Sequence, residues 1–116
     1  MPTSKVEKLV ELAELSEKLG YKRCWVYDEG LHTRDVFVTL TSIAIATKKI
    51  LIGPGITNPY VRHPGITASA IASLDEVSNG RSFIGLGAGG GLTLNPLGIE
   101  RLKPVTTVSE LSLIHI

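Results

Sequence analysis

Residues 50–59 (Ile-Leu-Ile-Gly-Pro-Gly-Ile-Thr-Asn-Pro) constrain the fold of this chain more than any other stretch. Ile50, Leu51 and Ile52 form a short unbroken apolar run, the pattern of a parallel strand covered on both faces. Gly53, Pro54 and Gly55 then interrupt the ladder. Proline donates no hydrogen bond, and glycine within a strand pattern marks a bulge or the close approach of another group. The stretch therefore reads either as a strand ending in a ligand-facing bulge or as a strand running into an ordinary surface turn.

The flanking segments supply the context. A Ser4-x-x-Glu7 capping box predicts a helix with Val6, Leu9, Val10, Ala13 and Leu19 on one stripe, closed by Gly20. Residues 23–28 (Arg-Cys-Trp-Val-Tyr-Asp) read as a strand with Trp25 in the core, ending on Asp28 and Glu29. A helix over 36–47 carries Val36, Leu40, Ile43 and Ala44 at helical spacing. Pro64 suits the first position of a third helix, with His63 at its entry, and the inner face is expected to be Ile66, Ala70, Ile71, Leu74 and Val77. Asn79 and Gly80 stop it. Residues 82–86 form a third strand, and 87–91 follow as a loop almost without side chains.

Strand and helix thus alternate, as in a parallel α/β sheet. The open doubly wound sheet and the closed (β/α)8 barrel share this pattern, and both bind ligands at the carboxyl ends of their strands. Asp28, Glu29, residues 55–58 and the 85–91 loop all fall at such ends. With 43% hydrophobic residues the chain can bury a core, and twelve basic against eleven acidic residues leave a net charge of +1. Such a balance supplies no field for nucleic acid or an anionic membrane, so a small-molecule substrate is the expected partner. No apolar run approaches the roughly 18 residues of a spanning helix, and the first twenty residues lack a signal core, which reads as cytoplasmic. Cys24 stands alone and reads as an inert buried thiol.

Gly85, Gly87 and Gly90 match the Gly-x-Gly-x-x-Gly of a dinucleotide turn, but that fingerprint opens a helix, and residues 92–104 contain Pro96, Gly98 and Pro104 without a helical stripe. Asp28 and Glu29 are adjacent in an extended segment, so their side chains diverge and cannot work as an acid/base pair. One of them faces the site, or both belong to a solvated loop that helps to cap the next helix. His32 and His63 are far apart in sequence and from any cysteine, which argues against metal ligation.

The runs 53–64 (Gly-Pro-Gly-Ile-Thr-Asn-Pro-Tyr-Val-Arg-His-Pro), 73–81 (Ser-Leu-Asp-Glu-Val-Ser-Asn-Gly-Arg) and 85–89 (Gly-Leu-Gly-Ala-Gly) resemble the bacterial luciferase-like superfamily. Within it the chain is similar to the deazaflavin-dependent branch typified by methylenetetrahydromethanopterin reductase, helped by residues 97–100 and 103–105. The resemblance implies a luciferase-like (β/α)8 TIM barrel and hydride transfer between coenzyme F420 and an organic substrate. FMN replaces F420 in sister enzymes, with monooxygenase chemistry as the alternative. It also implies a non-prolyl cis peptide, here between Gly55 and Ile56, against the cofactor ring. Thr57 and Asn58 would offer polar contacts to that ring, Gly87, Ala88 and Gly89 would line it, and Asp28 and Glu29 would stand at the catalytic strand end. The complete enzyme is expected to be a homo-oligomer.

Glu29 stands where the family often has histidine, and Gly90 where the reductases carry an acidic residue, which sets the pterin substrate apart from the cofactor reading. A complete barrel takes about 250 residues. Residues 1–110 are therefore expected to be the amino-terminal part of such a domain, with about three of its eight strands, and a non-catalytic truncated product is the competing reading. Residues 107–110 form a capping box, but the Leu-Ser-Leu-Ile-His-Ile that follows shows no charged face, so no helix is expected there. Residues 111–116 also match a translated reading frame of a transposon end used in sequencing libraries and are expected to be a non-native tail.

Overall fold

The computed structural model describes residues 4–100 and 103–114. Helix α1 (Val6–Lys18) starts from Lys5, whose carbonyl accepts from the Lys8 and Leu9 amides. No side chain caps it, so the expected Ser4–Glu7 box does not form: the chain enters the helix one residue later than that box requires. At the far end the Gly20 amide donates to the Glu17 carbonyl and the Tyr21 amide to that of Ser16, a Schellman closure.

Strand β1 (Arg23–Val26) lies parallel to β2 (Leu51–Pro54), with Arg23 opposite Leu51 and Trp25 opposite Gly53. Residues 82–86 run parallel along the other edge of β2 through bridges at Ile52–Ser82 and Thr57–Leu86. The expected third strand is thus present as two bridges and not as an unbroken ladder. Phe83 and Gly85 amides donate to Ile52 and Pro54 carbonyls, but Pro54 has no amide to return. Helix α2 (Val36–Ala46) connects β1 to β2, and α3 (Pro64–Val77) connects β2 to the 82–86 segment.

The three helices cover one face of this sheet. Ala13, Val36, Leu40, Ile43, Ala44, Ile50, Ile52 and Leu74 form the buried core, with Val10, Cys24, Val26 and Phe37 packed against it. Every α2 position expected to face inward does so. On α1 and α3 the outer limits of the stripe differ: Leu19, Ile66 and Val77, each in the first or last turn of its helix or at its cap, are exposed. Trp25 is the larger correction. It points away from the helices and is 51% exposed, meeting Phe83 edge-on with ring centroids 4.5 Å apart.

That open face is built on close approach. A β-carbon on Gly53 would lie 2.1 Å from the Phe83 carbonyl oxygen, and one on Gly55 would lie 2.2 Å from the Trp25 ring. Only glycine lets the strands and the indole come this near. Two long-range clamps hold the turn between α2 and β2. Glu17 accepts from the amides of Lys48, Lys49 and Ile50, and Arg81 donates to the carbonyls of Ala44, Thr47 and Ile50 and to the Thr47 hydroxyl.

After the 82–86 segment the chain forms helix α4 (Gly91–Leu94) and a 3-10 turn (Asn95–Leu97), pieces too short to make a sustained helical stripe over 92–104. They pack on the 3-10 turn Gly30–His32, where the His32 Nε2 and the Leu92 carbonyl oxygen are 2.9 Å apart. Helix α5 (Pro104–Ile114) packs on α3 and overturns the expectation of no helix after residue 110. It begins at Pro104, so Thr107–Glu110 lies within it and is not its cap; Thr107 instead donates its hydroxyl to the Lys103 carbonyl. Residues 115–116 of the suspected tail lie outside the described residues.

Candidate functional site

The carboxyl ends of β1, β2 and the 82–86 segment open into a cleft of about 350 Å³. Tyr27, Asp28 and Glu29 enter it from the end of β1. Gly55, Ile56, Thr57 and Asn58 come from the end of β2, and residues 87–90 with Thr93 from the third segment. Every residue singled out in the sequence, Asp28, Glu29, Gly55, Ile56, Thr57, Asn58, Gly87, Ala88 and Gly89, therefore meets in one place. The Gly55–Ile56 peptide bond is cis, at the bond that the family resemblance indicates, and Ile56 is half exposed above it.

The polar residues of the floor are committed to one another. Asp28 is buried, and the Thr57 hydroxyl donates to its Oδ2 at 2.6 Å. Arg62 spans the same carboxylate, Nη1 donating to Oδ2 and Nη2 to Oδ1 at 3.2 Å. The Arg62 guanidinium also lies 4.9 Å over the Phe37 ring and 3.9 Å from Asp35. Asn58 accepts the amides of Tyr60 and Val61 on its Oδ1, which turns the chain toward α3. The divergence expected of the two acidic residues is visible here: Asp28 is locked inward, and Glu29 is partly exposed on the cleft wall.

Three contributors were not singled out from the sequence. Arg62 is one, because a partner 34 residues away leaves no local pattern. Asp35 is another: its Oδ1 accepts from the Phe37 and Val38 amides and caps α2. An aspartate directly before the apolar run at Val36 was a readable signal for it. Tyr27 is the third. His63 enters α3 as expected, its Nδ1 accepting from the Gly65 amide.

The chemistry available follows from the lining. Gly87, Ala88, Gly89 and Gly90 make one wall almost without side chains, and no lysine, arginine or histidine lines the cleft among the described residues. A planar neutral ring fits such a wall, whereas a phosphate would find no cation. Residues 85–90 lead into a helix of four residues only, which is not the helix that a dinucleotide turn requires. A volume of about 350 Å³ falls within the usual range of small-molecule pockets, about 300–1,000 Å³. A second cavity of about 360 Å³ lies between α1 and β1, lined by Leu9, Leu12, Cys24 and Val26 among others and reaching Tyr27 and Arg34 beyond the end of β1. Burial there pushes the Cys24 thiol above its ordinary range, which keeps it protonated. Among the described residues no helix is long and apolar enough to cross a membrane.

Parallel strands crossed over by helices on one face, with a cleft at their carboxyl ends, define part of a (β/α) barrel. The model of the luciferase-like monooxygenase family matches residues 1–114, and the chain belongs to that family. It is 43% identical over 110 residues to the 5,10-methylenetetrahydromethanopterin reductase of Methanolobus tindarius, covering 95% of this chain and 33% of that protein. The structure of the coenzyme F420-dependent tetrahydromethanopterin reductase from Methanopyrus kandleri superposes with a TM-score of 0.88 at 36% identity, over 94% of this chain and 35% of that one. The FMN complex of the oxygenating constituent of 3,6-diketocamphane monooxygenase from Pseudomonas putida shares the fold, with a TM-score of 0.83 at 20% identity, over 94% and 32% of the two chains. The chain spans about a third of the length of these relatives.

Proposed function

We propose that this chain provides the ring-facing strand ends of an oxidoreductase that moves a hydride between coenzyme F420 and an organic substrate. The observation that carries the reading is the cleft of about 350 Å³ in which the ends of three parallel segments converge, with one wall almost without side chains and no cation among the described residues that line it. Its likeness to proteins named as F420-dependent reductases supports the choice of ring. Bound there, a deazaflavin supplies the hydride donor or acceptor. Gly87, Ala88 and Gly89 form the wall on which the ring lies, and Gly55 with Ile56 forms the opposite support. Thr57 and Asn58 hold the backbone of that support in place through Asp28 and through the turn into α3. Glu29, on the cleft wall, orients a polar group of the substrate or carries a proton beside the ring.

The function of these residues is to hold two flat partners face to face and to keep water out, which supplies most of what hydride transfer asks of a protein. No protein nucleophile is involved. Titration of the protein at its full natural length with coenzyme F420 and, separately, with FMN tests the proposal. Tight binding of F420 with quenched ring fluorescence supports it, whereas preferential binding of FMN moves the reading to the flavin branch. Binding of neither ring leaves the non-catalytic product as the account of this chain.

A further inference from the structure

We propose that Arg62 is a positioning residue of this cleft: it sets the ring support at the end of β2 by gripping Asp28, which in turn fixes Thr57. This rests on the proposed function. Arg62 is not among the residues that line the cleft but contacts two that do, Asp28 and Thr57, and its guanidinium reaches three separate parts of the surrounding fold. The fork takes both oxygens of Asp28 at the end of β1, and Nη1 lies 3.4 Å from the Thr57 hydroxyl at the end of β2. Its flat face covers Phe37 of α2, and its outer edge faces Asp35, the cap of that helix. The side chains of Arg62 and Asp28 are only 19% and 5% exposed, so the pair is removed from the solvent screening that weakens surface ion pairs.

The consequence for the site is geometric. Asp28 has Arg62 on both oxygens and Thr57 on one, so the Thr57 hydroxyl hydrogen points at Asp28 and away from the cleft. Thr57 itself is fully buried, and its backbone joins the ring support to the 82–86 segment: its amide donates to the Gly85 carbonyl and its carbonyl accepts from the Gly87 amide. Side-chain grip and backbone ladder therefore meet at one residue. Lysine would keep the charge but could not span two oxygens while lying flat on Phe37.

Amide hydrogen exchange and ring binding test the proposal together. In Arg62→Met, exchange at the Thr57 and Gly87 amides should accelerate about tenfold, with the Ile52 and Phe83 amides unchanged, as local opening does. The Kd for F420 or FMN should rise about tenfold or more, and Arg62→Lys should recover part of that loss. In an Asp28→Asn background the Arg62→Met change should weaken binding much less than it does alone, because both act through one contact. Acceleration spread equally over all four amides, or additive effects on Kd, would reduce Arg62 to general stability and overturn the inference. If Arg62→Met does not fold, Arg62→Lys carries the same test with an effect of about threefold on Thr57 exchange and on Kd, and no effect on either refutes it. A wild-type protein that binds neither ring defeats the proposed function, and the exchange pattern then judges Arg62 alone.

Discussion

Replacing Gly53 with alanine should strike the sheet where it has no room to yield. The new β-carbon would sit 2.1 Å from the Phe83 carbonyl oxygen and 2.8 Å from its ring, and the first of these is backbone, which cannot rotate away. Relief requires the 82–86 segment to move off β2, stretching the bonds from the Phe83 amide to Ile52 and from the Gly85 amide to Pro54, both 3.0 Å long. Overpacking costs about 1–3 kcal/mol, and each weakened bond adds about 0.5–1.5 kcal/mol. The expected loss is about 2–6 kcal/mol. With a urea dependence of about 1–3 kcal/mol per molar, the unfolding midpoint should fall by about 1 M or more. Gly90→Ala is the control: a β-carbon there meets nothing within 4 Å on an extended backbone, so the midpoint should stay within about 0.3 M of wild type. A Gly53→Ala protein as stable as the control would refute the close packing of 82–86 against β2.

Two further outcomes follow from the clamps on the α2–β2 turn. Burial would raise the Glu17 carboxyl, but the amides of Ile50, Lys49 and Lys48 and the charge of Arg81 outweigh it and hold the group below its ordinary range. A carboxyl lowered by folding adds stability above its unfolded value, and that stability is lost as pH falls through the folded value. Glu17→Gln should therefore be less stable than wild type at neutral pH, with the gap closing as pH drops below about 4.3, as followed by urea midpoints across pH. Arg81→Met strands the carbonyls of Ala44, Thr47 and Ile50 and should cost about 3 kcal/mol, read as a fall in Tm of about 10 °C; a fall of under about 3 °C would show that water replaces the guanidinium.

Much of this architecture was written in local patterns. The spacing of Val36, Leu40, Ile43 and Ala44 identified the buried face of α2, and the glycine and proline interruptions located the strand ends that line the cleft. Patterns of that kind report what one element needs. They do not report what stands beside it. Trp25 belongs to a strand by composition, yet only the position of the helices decides that Cys24 and Val26 face the core while the indole faces the open side. Arg62 with Asp28, Glu17 with residues 48–50, and Arg81 with the end of α2 are joined across 31 to 37 residues. Nothing in their neighbouring sequence marks them. The expectation of no helix over 111–114 failed for a related reason: an apolar run without a charged face extends a helix already begun at Pro104, though it would not start one.

The most direct measurement compares the wild-type protein, at its full natural length, with Gly87→Val in a titration with coenzyme F420 and FMN. A β-carbon at Gly87 would meet Ile56 at 2.9 Å, narrowing the cleft between its flat wall and its opposite support. Wild type should bind one of the rings, and Gly87→Val should bind it about tenfold or more weakly, at an unfolding midpoint still high enough for the fold to be intact. Equal affinity in the two proteins would place the ring elsewhere and contradict the assignment of this cleft.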